Sequence, residues 1–186
     1  MVYTASCIIQ ERTAKAKVLQ NSFSILLILS FVAIWSLKIY PFAKNISMMN
    51  LSEPLTGRKF WSWKDYKYHD GSVRGEGYYL DIYEYNSKIA KYFETPDSSF
   101  FCEYPLETFS STKWQPTPIA ENEMEILEFA TPIYGGWKGK IIDKQSFIRK
   151  LAKSPGSYYS YRTENSTEFY IISPKDRIII LIYHNM

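Results

Sequence analysis

One uninterrupted apolar run, Phe23 to Tyr40 (F-S-I-L-L-I-L-S-F-V-A-I-W-S-L-K-I-Y), constrains this chain more than any other stretch. From Phe23 to Leu37 it carries no charge, and its only polar side chains are serines. As a helix it would rise about 27 Å, close to the hydrocarbon thickness of a bilayer. Its serines can return their hydroxyls to the preceding turn, Trp35 and Tyr40 suit a headgroup region, and Lys38 can snorkel outward. The sequence therefore predicts one membrane-spanning anchor that meets the lipid bilayer through Phe23–Tyr40.

Two other readings of the run are weaker. A cleaved signal peptide needs a small-x-small site, which Leu37 to Ala43 do not supply, and the head of the chain is long for a signal n-region. A buried core helix needs apolar partners on every side. Arg12, Lys15 and Lys17 lie before the run and Lys38 and Lys44 after it, a slight bias toward a cytoplasmic head. The expected placement is a single-pass signal-anchor in the inner (cytoplasmic) membrane with an extracytoplasmic, periplasmic C-terminal domain. The expected division is a head (1–21), an anchor (22–40), a polar tether (41–58) and a folded domain (59–186).

The net charge of +3 resides in the head and at the anchor's edge; the body has equal numbers of acidic and basic residues. A nucleic-acid binder needs a concentrated basic face, so that class is excluded. Cys7 and Cys102 flank the run, so the domain must hold together by packing without a disulfide framework. No zinc-type cysteine spacing, phosphate loop or serine-nucleophile motif is present, and no cofactor or metal is expected.

Within the body, Phe60 to Tyr68 (F-W-S-W-K-D-Y-K-Y) reads as an edge strand, with Trp61 and Trp63 on one face and Tyr66 and Tyr68 repeating the spacing. His69-Asp70-Gly71 reads as a turn. Val73 to Tyr85 alternates as a strand, with Tyr78, Leu80, Ile82 and Glu84 on one face and Tyr79, Asp81, Tyr83 and Tyr85 on the other. Helices follow from Asn86 or Ser87 through Phe93, over Ala120–Ala130, and after an Asp143 cap. Phe100 to Pro118 reads as a long packed loop. Ser157–Thr163, Thr167–Ile172 and Arg177–Tyr183 read as a three-stranded antiparallel meander, the last strand continuously apolar and hence central. The predicted class is α+β: a four- or five-stranded antiparallel sheet packed on one face by two or three helices.

No catalytic set stands out. Cys102, His69 and Asp70 could be imagined as a nucleophile group, but nothing around Cys102 resembles a nucleophile elbow. The expected role is non-enzymatic: a domain that binds a protein partner, such as a toxin-immunity protein or an accessory subunit of an envelope complex. The expected contact residues are Trp61, Trp63, Tyr66, Tyr68, Trp114 and Trp137, because Trp and Tyr anchor interfaces. The alternative is an anchored enzyme acting on cell-wall or glycan material, with Trp61 and Trp63 as a sugar platform and Glu76 or Asp81 as acids.

Overall fold

The computed structural model describes residues 21–35, 49–71, 77–133 and 139–185. The chain divides into two compact units, Met1–Lys44 and Asn45–Met186.

In the first unit, residues 21–35 form a helix, and its apolar side chains from Phe23 to Trp35 are all exposed. Ser30 returns its hydroxyl to Leu27 O at 2.9 Å, and Phe31 packs on Trp35 at 5.4 Å between ring centroids. Here the anchor expectation is corrected. Among the described residues no helix is long and apolar enough to cross a membrane. The described residues of this helix, 21–35, rise about 22 Å against a hydrocarbon layer of about 30 Å. The transmembrane anchor, the signal-anchor topology and the inner-membrane placement are overturned by that finding. Lys38 and Tyr40 lie outside the described residues.

The second unit is built on a six-stranded, wholly antiparallel sheet in the order β1-β2-β6-β5-β4-β3. The strands are β1 (Ser62–Gly71), β2 (Gly77–Tyr85), β3 (Gln115–Pro116), β4 (Tyr158–Arg162), β5 (Thr167–Ser173) and β6 (Ile178–Asn185). Its helices are α1 (residues 49–56), α2 (Ser87–Glu94), α3 (Ser98–Cys102), α4 (Glu121–Ala130) and α5 (Lys140–Lys153). The class is α+β as expected, but the sheet is larger than the predicted four or five strands. The described residues of this unit hold five α-helices, where two or three were expected, and the helix over residues 21–35 makes six.

Helices cover both faces of the sheet, not one. On the first face Leu80, Ile82, Phe169, Ile171, Ile180 and Ile182 pack beneath Leu127 and Ala130 of α4 and Ile148 and Ala152 of α5. On the second face Tyr83, Tyr85, Ile172 and Ile179 meet Leu55 of α1, Phe93 of α2 and Phe100 of α3. This two-sided burial explains why β6 reads I-I-I-L-I-Y without alternation.

Local chemistry sets the element ends. Asn86 accepts the Ile89 amide at 3.0 Å to cap α2, and Asp97 accepts the Phe100 amide at 3.2 Å to cap α3. Helix α5 begins at Lys140, three residues before the Asp143 expected to cap it, and Asp143 sits in its first turn. The stretch expected as a tether holds α1, whose Leu55 is fully buried. The stretch expected as a loop, Phe100–Pro118, contains α3, a 3-10 turn over Glu107–Phe109 and β3. Gly57 has φ 75°, and a Cβ there would lie 2.6 Å from the Tyr104 ring, so no other residue fits this turn after α1 without displacement.

Candidate functional site

Helices α1–α3 shelter only the half of the second face that carries Tyr85, Ile172 and Ile179. The other half is left open. Register places His69, Tyr79, Tyr183, Glu168 and Arg162 side by side across β1, β2, β6, β5 and β4. Their side chains line an open cleft of about 460 Å³, walled by Leu51 of α1 and by Thr108 and Phe109 of the 3-10 turn. Such a volume is in the range of small-ligand sites.

Tyr79 and Tyr183 form the floor, their rings 5.3 Å apart, and the His69 ring meets Tyr79 edge-on at 4.6 Å. Gly77 makes room for this arrangement: a Cβ there would lie 3.0 Å from the Tyr79 ring. At one end Asp81 accepts from Lys64 Nζ at 2.8 Å, faces His69 Nε2 at 3.1 Å and accepts from the Tyr83 hydroxyl at 3.3 Å. Burial holds His69 below the ordinary histidine pKa, against the upward pull of Asp81 and with Lys67 and Lys64 adding to the depression. The neutral form of His69 is therefore favoured. At the other end Glu168 pairs with Arg162 and accepts the Tyr170 hydroxyl. Burial, and next Glu168, raise the Tyr170 pKa, so its proton stays in place. Each carboxylate of the cleft is thus neutralised by a cation and bonded by a tyrosine.

Trp63 lies on the first face, opposite the cleft. It pairs in register with Glu84, and its indole N–H donates to Glu84 Oε2 at 2.7 Å. A register shift between Lys64 and Tyr66 inserts one residue into β1. This bulge is why Trp63, Tyr66 and Tyr68 share a face although odd and even numbers should alternate. Trp61, just before the strand, and Trp63 are each 46% exposed. Tyr66 and Tyr68 are half-buried against the first-face core. Lys144 of α5 bonds Asp65 at 2.9 Å and sits 5.5 Å over the Tyr66 ring, fixing the helix to this edge.

The remaining expected contact residues do not join that surface. Trp114 is 2% exposed, stacked on Phe100 at 5.4 Å and donating to Leu55 O at 2.8 Å. It belongs to the second-face core, which removes it from any docking surface. Trp137 and Glu76 lie outside the described residues. Asp81 and Trp63 stand on opposite faces of the sheet, so the imagined pairing of a tryptophan platform with an Asp81 acid is not assembled. His69 is the last-but-two residue of β1, not a turn residue, and it faces Asp81; Cys102 is exposed at the end of α3 and does not line the cleft. Among the described residues no cluster of His, Cys, Asp or Glu is arranged to hold a metal ion.

Sequence reasoning missed the cleft residues Arg162 and Glu168. Their signal was present in the meander, because strand pairing after the Glu164-Asn165-Ser166 turn sets 162 opposite 168. In comparisons with known proteins, the chain matches no family model, no curated protein and no solved structure.

Proposed function

We propose that the Asn45–Met186 unit is a non-enzymatic binding module that docks a protein partner through Trp61 and Trp63. One observation carries the reading: two tryptophans, each 46% exposed, stand together at the start of a terminal strand. Tryptophan is enriched among the residues that dominate binding energy. The Trp63 indole is held by Glu84, so little side-chain entropy remains to be lost on docking. The opposite terminal strand, β3, is two residues long and ends in proline, so it offers no comparable edge. Exposed Lys59 precedes the pair in the chain, which suits a partner with an apolar centre and an acidic group at its rim.

The test uses the full chain, tagged and expressed in its own cells, beside a Trp61→Ala/Trp63→Ala variant. The expected result is one stoichiometric protein that co-purifies with the wild type and is lost from the variant, with thermal stability nearly unchanged. Retention of that protein by the variant would refute the assignment.

A further inference from the structure

The cleft on the second face is a separate site from the tryptophan surface, and its chemistry is specific enough to name a ligand class. We propose that it binds a neutral oligosaccharide. The floor offers two tyrosine rings, with Tyr79 36% exposed and braced by Tyr183 and His69. An aromatic face of this kind packs against the apolar C–H face of a sugar ring.

The two ends supply matched polar groups. Asp81 and Glu168 each have lone pairs beyond those engaged by Lys64, His69, Tyr83, Arg162 and Tyr170. Thr108 lines the wall with a hydroxyl, and Nδ1 is the His69 ring nitrogen not turned to Asp81. Vicinal hydroxyls match such planar pairs of donors and acceptors. Within each pair the charges cancel, Asp81 against Lys64 and Glu168 against Arg162, so neither pair selects an anion or a cation. The row from His69 in β1 to Arg162 in β4 crosses four strand intervals, about 19 Å. That is the reach of a short oligomer, and the open cleft gives no enclosed apolar hole for a lipid tail.

The test is an NMR titration of the full chain with three probes: a β-1,4-linked N-acetylglucosamine trimer, maltotriose, and trigalacturonic acid as the charged comparator. The expected result is saturable shifts at Tyr79, Tyr183, Arg162 and Glu168 with at least one neutral trimer, and weaker binding of the charged one. Tyr79→Ala should weaken binding about tenfold, and His69→Ala by a smaller factor. Trp61→Ala/Trp63→Ala should leave the shifts intact, which separates this site from the partner surface. No saturable binding of either neutral trimer, tighter binding of the charged trimer, or an affinity unchanged by Tyr79→Ala would overturn the proposal.

Discussion

Trp114→Phe measures what the buried indole contributes, and the magnitude follows from its surroundings. The last carbonyls of a helix have no partner within the helix. Near the end of α1, the Leu55 carbonyl receives its hydrogen bond from Trp114 Nε1 at 2.8 Å, in a site closed to water. Phenylalanine keeps the stack on Phe100 but leaves that carbonyl orphaned, a penalty of about 1–3 kcal/mol. The smaller ring also leaves about 40 Å³ unfilled, worth about 1 kcal/mol at the measured cost per unit of cavity volume. The sum is about 3 kcal/mol, a fall in Tm on the order of 6–12 °C for a domain of this size. Trp63→Phe breaks an exposed bond to Glu84 and should cost about 0.5 kcal/mol. Urea unfolding followed by far-UV circular dichroism reads both variants. A Trp114→Phe loss below about 1 kcal/mol, or one equal to that of Trp63→Phe, would refute the account of Trp114 as the residue that closes α1.

Alkaline unfolding should be steep. Burial raises the pKa of Tyr78 to about 12 and raises Tyr85, Tyr159 and Tyr170 as well. The folded state then holds protons the unfolded chain releases above pH of about 10, so stability is intact below that pH and falls by up to about 1.4 kcal/mol per pH unit for each group above it. Absorbance at 295 nm should show these tyrosines ionising together with loss of structure; gradual ionisation of the folded chain would contradict it. His69 has the opposite sign of dependence: its lowered pKa means its contribution is complete above about pH 6.5 and is lost as the pH falls through the folded value. Removing the upward pull of the Asp81 charge in Asp81→Asn should move the His69 NMR titration lower still, whereas an upward shift would show that Asp81 is not its partner. Glu123→Gln should destabilise by about 1–2 kcal/mol, because the Glu123 carboxylate accepts the hydroxyls of both Tyr159 and Tyr161; denaturant unfolding that matches wild type would exclude that clamp.

The meander was the most legible part of the fold. Turn residues at Glu164–Ser166 and Ser173–Asp176 bound three apolar strands, and β4, β5 and β6 lie within a residue or two of the expected limits. Helices with a side-chain cap or a clear apolar stripe, α2 and α4, were equally readable. The rest of the layer that α2 belongs to, α1 and α3, was not. Residues 49–56 are short and polar in sequence, and only tertiary packing shows that Leu55 completes an aromatic core. The Phe100–Pro118 stretch hid its role for a similar reason: Trp114 is anchored by contacts to residues far away in sequence, which no local period reveals. At the candidate sites, the bulge in β1 set which aromatics share a face, and bulges have no dependable sequence mark. Asp81 was visible as a strand carboxylate, but its neutralisation by Lys64 depends on pairing across β1 and β2. The apolar run at Phe23 misled because hydropathy and length stood in for a helix that, in the described residues, spans only 21–35.

The claim that the two faces of the sheet recognise different things is tested most directly by site-specific photo-crosslinking in the native cell. Benzoylphenylalanine is placed at position 63 on the first face in one sample and at position 79 in the cleft in another. The account predicts a discrete adduct of a single protein from position 63 and no protein adduct from position 79. A protein adduct from position 79 with none from position 63 would contradict it.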